Sequence, residues 1–260
     1  MNCANLANDQ QQHKGIAMGG KILIIGGTTG IGAALARNLA QAGFGLHLVA
    51  RDTARLTAMA AELNAGHTAG DVMDENTLTT AVQAANENND LIGAAYCVGS
   101  ITLKPIKAAR AEDYLTAFQL NALGAARLIQ LVQPALGANG GGSIVLFSTI
   151  AVQQGFANHA VVSMAKGAVE GLTRAAAAEL APLIRVNCIA PSLTDTPLAN
   201  FLTKNEATAK TIAAMHPIPR LGMAEDSAAL AAFLLSPQAG WISGQVMHVD
   251  GGRSSLRTKG

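Results

Sequence analysis

Apolar positions along this chain fall in short unbroken runs, and between the runs lie longer stretches with helical spacing. Ile22 to Ile25 form the first run, and an alanine-rich helical pattern covers 33–42. A run without polar alternation predicts a strand buried on both faces, as in a parallel sheet. Gly45 to Ala50 predicts a second strand, followed by Arg51, Asp52 and a helix near 54–63. A weaker third strand ends at Gly70-Asp71-Val72, with a polar helix around 75–86 behind it. Asp90 to Val98 predicts a fourth strand ending at Gly99, and a long helical pattern follows over about 112–136.

The second half repeats the alternation. Ser143 to Phe147 predicts a fifth strand ending in Ser148-Thr149, followed by a helix over roughly 159–180 that carries Lys166. Ile184 to Ile189 predicts a sixth strand closed by Ala190-Pro191. Residues 192–222 mix helical spacing with Pro197, Pro217, Pro219 and Gly222, which suits a mobile lid. A helix over 225–235 and a last strand over 244–249 precede Asp250-Gly251-Gly252. Strands alternating with helices predict one α/β domain, a doubly wound parallel sheet of about seven strands flanked by helices, spanning 20–260. The polar residues before it predict a disordered extension over 1–19, with Met1 and Met18 both open as the start.

Composition narrows the function. The 260 residues carry a net charge of +1, so no basic field favours nucleic acid and no polybasic patch favours a membrane. No run of uncharged apolar residues is long enough to span a bilayer. The three cysteines, Cys3, Cys97 and Cys188, form no C-x-x-C or His/Cys cluster, so no metal site is expected and a reducing cytoplasmic setting fits.

The glycine-rich turn Gly26 to Gly32 stands between the first strand and the first helix. That order places backbone N–H groups and the positive end of a helix dipole against a pyrophosphate. At the end of the second strand an acidic residue would favour a free ribose hydroxyl, whereas Arg51 offers a donor fork suited to the 2′-phosphate of NADP. The alternative for Arg51 is a solvated residue opening the next helix. Asn121 is a poor helix-interior residue; its amide is either solvated or bends the helix and holds a water at a site.

These residues resemble the short-chain dehydrogenase/reductase family over about 20–253. The glycine turn reads as the family's T-G-x-x-x-G-I-G with Ile25 in place of the threonine, and places Gly26, Thr28, Thr29, Gly30 and Ile31 at the cofactor. Asp71-Val72 matches the pair beside the adenine, Gly99 the glycine after the fourth strand, and Asn121 the catalytic asparagine. Lys166 falls on the active-site lysine. Pro191, Thr194 and Thr196 fall where the family contacts the nicotinamide end. The resemblance implies a Rossmann-like fold, NADP with NAD as the alternative, and interconversion of a small carbonyl and its alcohol.

Several departures bear on the chemistry. The family's N-N-A-G is Tyr96-Cys97-Val98-Gly99 here, its Pro-Gly is Pro191-Ser192, and Thr149 occupies the place of the catalytic serine. The Y-x-x-x-K motif reads Val162-Ser163-Met164-Ala165-Lys166, so the tyrosine that handles the proton is replaced by valine. His159 lies three residues earlier and could supply the proton, or could be an ordinary histidine at the start of the helix. Two readings follow: an oxidoreductase with a non-standard proton donor, or a weak or inactive NADP-binding module acting as a sensor or a subunit of a hetero-oligomer. The helices over 112–136 and 159–180 are too apolar for one buried stripe, which predicts a homodimer or homotetramer.

Overall fold

The computed structural model describes residues 19–258, so the extension expected over 1–19 lies, but for Gly19, outside the described residues. The first half runs β1 Lys21–Ile25, α1 Gly30–Gln41, β2 Gly45–Ala50, α2 Thr53–Leu63, β3 Gly66–Ala69, α3 Glu75–Ala85 and β4 Leu91–Tyr96. Then come α4 Ala111–Phe118, a π-helical turn Gln119–Leu123, α5 Gly124–Ala138, β5 Gly142–Phe147, α6 Ala151–Gln154 and α7 Ala160–Leu180. The chain closes with β6 Ile184–Pro191, β7 Thr194–Asp195, α8 Asn200–Thr203, α9 Glu206–Ala213, β8 Gly222–Met223, α10 Ala224–Leu235 and β9 Val246–Val249.

Seven strands form one parallel sheet in the order β3-β2-β1-β4-β5-β6-β9. The chain starts in the middle, winds outward to β3, returns to β4 beside β1 and winds outward the other way. Loops at the carboxyl ends of β1 and β4 therefore diverge to opposite faces and leave a crevice between them. Along β1 the side chains alternate: Ile22 and Ile24 pack with α1, α2 and α10, while Leu23 and Ile25 pack with α3, α5 and α7. All four are fully buried, which is why the strand shows no polar alternation in sequence.

Local signals set the helix ends. Asp52 accepts the Arg55 backbone N–H at 3.0 Å to cap α2, and Asn64 ends it in the left-handed conformation. Asp74 accepts the Asn76 N–H at 3.0 Å and caps α3.

Two features depart from the sequence expectation. The helix expected over 112–136 runs unbroken over Ala111–Ala138 but widens into a π-turn where α4 passes into α5. Asn121 sits in that turn at 1 % exposure, so its amide is not solvated; its Nδ2 donates to the Ala117 carbonyl at 2.8 Å. The Tyr96 hydroxyl donates to the Leu120 carbonyl at 2.7 Å, satisfying a group in the widened turn. By length and composition Ala111–Ala138 could cross a membrane, yet Leu128, Val132 and Leu136 are fully buried against the sheet. The second departure is the short β7–β8 pair, Thr194 with Gly222 and Asp195 with Met223, which ties together the two ends of the segment expected as a lid. Two residues are too few to show a strand period.

Candidate active site

The crevice has an open end over β1–β3 and a cavity over β4–β6. At the open end, Gly26 leaves β1 with φ +83° and its N–H donates to the Val49 carbonyl at 2.8 Å. A Cβ on Gly32 would run into the Gly26 carbonyl oxygen, so only glycine lets α1 begin against the strand. The Thr29 side chain makes no cap bond, and the first turn of α1 holds no acidic residue. The N–H groups and dipole of α1 thus face the crevice with no side chain competing for them. Thr28, Thr29, Gly30 and Ile31 line this approach.

Arg51 at the end of β2 and Asp71 just past β3 form an ion pair at 3.5 Å, Arg51 largely exposed and Asp71 half-buried, with Val72 buried beside them. The Asp71 carboxylate also accepts the Met73 N–H at 3.0 Å. The residues expected around an adenosine are therefore gathered at one edge. The donor set, backbone amides then a guanidinium, fits a pyrophosphate followed by a 2′-phosphate.

The cavity, of about 420 Å³, is bordered by Thr149, His159, Val162 and Lys166. Gly99, Pro191, Thr194 and Thr196 also line it, so the expected cofactor residues of β4 and β6 meet the expected catalytic ones. Thr194 Oγ1 donates to the Ser192 carbonyl at 3.0 Å. A Cβ on Gly30 would stand 3.2 Å from Thr196, so the segment after β6 closes directly on the glycine turn.

Lys166 is buried on α7, and its Nζ donates to the Phe147 carbonyl at 2.8 Å, at the end of β5. Burial draws its pKa down to about 8. A Cβ on Gly99 would lie 2.9 Å from Asn121 Oδ1 and 3.0 Å from Lys166 Nζ, so glycine leaves room for both. Asn121 itself stands behind the wall, its Oδ1 accepting the Ser100 N–H at 3.3 Å and its Nδ2 donating to Ser100 Oγ at 3.1 Å. One turn beyond Lys166, Glu170 accepts the Ser148 hydroxyl at 2.8 Å and pairs with Arg174 at 3.6 Å.

Thr149 Oγ1 accepts the Ala151 N–H at 3.3 Å, which leaves its own O–H free to donate into the cavity. His159 is the residue before α7; its Nδ1 lies 2.7 Å from the Ala157 carbonyl, so Nδ1 carries the hydrogen and Nε2 is left unengaged. Its ring meets Phe156 edge-on, with centroids 5.3 Å apart. Val162, 4 % exposed and one turn before Lys166, presents only carbon to the cavity. Tyr96 does not line the cavity: its hydroxyl is spent on the Leu120 carbonyl beneath the π-turn, and burial raises its pKa.

Sequence reasoning missed Phe156, Arg253 and the contact of Ser192 Oγ with His216 Nε2 at 2.8 Å. Pro191-Ser192 was a visible signal, and so was a cation directly after Asp250-Gly251-Gly252. Neither disclosed its partner.

Comparison with known proteins agrees with this geometry. The sequence model of the family described as "Enoyl-(Acyl carrier protein) reductase" matches residues 26–254. A tropinone reductase homolog of Arabidopsis thaliana is 33% identical over 241 residues, covering 88% of this chain and 90% of that protein. A short-chain type dehydrogenase/reductase of Mycobacterium ulcerans is similar in structure, with a TM-score of 0.86 and 31% identity, over 91% of this chain and 90% of that one. A gluconate 5-dehydrogenase of Burkholderia cenocepacia, solved with NADP and tartrate, has a TM-score of 0.85 at 26% identity, over 91% and 96% of the two chains.

Proposed function

This chain belongs to the short-chain dehydrogenase/reductase family, and from that premise we propose that it is an NADPH-preferring oxidoreductase that interconverts a carbonyl and an alcohol with a proton donor other than tyrosine. The observation that carries the reading is the convergence of Thr149, His159 and Lys166 on one cavity beside the glycine turn. NADP preference is supported by Arg51 at the end of β2 and by the NADP-bound relative.

The cofactor, when bound, supplies or accepts hydride. The rest falls to this chain. The Thr149 hydroxyl donates to the substrate oxygen and polarises it. In reduction His159, protonated at Nε2 from water, delivers that proton to the substrate oxygen; in oxidation the bare Nε2 takes the proton and passes it to water, while the hydrogen bond from Nδ1 to Ala157 fixes the ring. The Lys166 ammonium holds positive charge beside the reacting oxygen, and its hydrogen bond to the Phe147 carbonyl keeps its place. Val162 contributes an apolar wall with no proton to give.

A second reading, an NADP-binding module without turnover, is favoured by Val162 alone. NADPH consumption over a panel of carbonyls separates the two, with wild type, Val162→Tyr and His159→Gln side by side. The enzyme reading expects wild-type turnover and a loss of ~10²–10⁴ in rate for His159→Gln, the usual cost of a missing general acid. Turnover confined to Val162→Tyr would establish the module instead. The protein is further read as cytosolic and as a homo-oligomer, the oligomer being supported by Leu115, Phe118, Leu123 and Met164, which stay exposed along α4, the π-turn and α7. Sedimentation as a monomer at micromolar concentration would overturn that part.

A further inference from the structure

Arg253 is the arginine at this site without an oxygen partner. After β9 the Asp250 carboxylate accepts the N–H groups of Gly252 and Ser254, each at 2.9 Å. That turn brings the Arg253 guanidinium back over the Phe156 ring, 4.7 Å from its centroid. Its Nη2 lies 3.5 Å from the Met215 thioether, a weak acceptor, and no carboxylate lies within ion-pair distance among the described residues.

The other arginines differ. Arg37, Arg51, Arg55, Arg127, Arg174 and Arg220 each pair with a carboxylate. Arg185 donates to the carbonyls of Leu234 and Ser236, and Arg110 and Arg257 are exposed to water. Arg253 is half-buried at a cavity whose lining is mostly apolar. A guanidinium kept partly dry, with its donors unspent, gains most from an anion that enters the same space. Stacking on Phe156 holds the fork in place, so little side-chain freedom is lost on binding.

We propose that Arg253 is a binding residue for a carboxylate on the substrate, so that the cavity takes an aliphatic oxo acid or hydroxy acid whose acid group lies on Arg253 and whose chain runs along the apolar wall toward Thr149. The proposal rests on the reading of this cavity as the substrate site of an oxidoreductase. It adds the class of substrate and a determinant of its selection. The simpler role for Arg253, a clamp joining Phe156 and Met215, predicts the same packing but no preference for anions.

The test is calorimetric titration of straight-chain carboxylates, butanoate to decanoate, and of the matching amides. Both series are run into the free and the NADP-saturated protein, with cofactor affinity measured separately. Variants are Arg253→Gln and Arg253→Met, the latter keeping a long apolar stem on Phe156. The expected result is that wild type binds carboxylates about tenfold or more tightly than amides, and that both variants lose this preference while keeping affinity for the amides. Equal binding of the two series by wild type, no binding of either, or a preference that survives in both variants overturns the proposal. Failure to bind NADP with the carboxylate preference intact would sink the oxidoreductase reading and leave the Arg253 site standing.

Discussion

At the β1–β3 end of the crevice the groups offered to a ligand are chiefly backbone amides at the start of α1, whereas over β4–β6 they are side chains: Thr149, His159, Lys166 and Arg253. The first end is set by where the chain can approach itself, with Gly32 against the Gly26 carbonyl. Such a cradle tolerates change at Thr28 or Thr29 but not at the glycines. The second end is set by what each side chain can do. There Val162 stands one turn before Lys166 and borders the cavity with carbon alone, within the fold that the family shares. Under the proposed function, binding and chemistry are separable here, one resting on backbone and the other on side chains.

The contrast is most open to breakage at Gly32. Gly32→Val is expected to abolish NADPH binding, read by nucleotide fluorescence, and to cost about 1–3 kcal/mol of stability through overpacking. Val162→Tyr should leave binding intact. If Gly32→Val binds normally, the cradle is not made by backbone approach.

Next in size is a titration. Lys166 loses its proton as pH rises through about 8, so turnover that needs the ammonium should fall about tenfold per pH unit above that value. A rate that stays flat to well above that pH would show that the charge is not used. The smallest effect is expected at the exposed edge. Arg51→Asp should move cofactor preference from NADPH toward NADH by about tenfold to a hundredfold, in line with about 1.5–3 kcal/mol for a charged hydrogen bond. An unchanged ratio of kcat/KM for the two cofactors would place the 2′-phosphate elsewhere.

Much of this was legible in the sequence because its signals are local. Continuous apolar runs such as Ile22–Ile25 report strands buried on both faces, and Asp52 and Asp74 report helix starts. Lys166 and Val162 are one turn apart on one helix, so their shared face follows from spacing alone. Asn121 was ambiguous because a solvated amide and a bend leave the same residue in the sequence. Only Ala117, Ser100 and the hydroxyl of Tyr96 decide it, and two of these come from outside the helix.

By itself the sequence determined the doubly wound sheet, the glycine cradle and the absence of a tyrosine four residues before Lys166, since each depends on neighbours along the chain. The tertiary structure alone decided that His159 borders the same cavity as Thr149. It alone joined Arg51 to Asp71, Ser192 to His216 and Arg253 to Phe156. Those pairs lie on different loops, and their meeting depends on how the strands order themselves in the sheet and on where each chain segment leaves it. No periodicity along the chain encodes that distance.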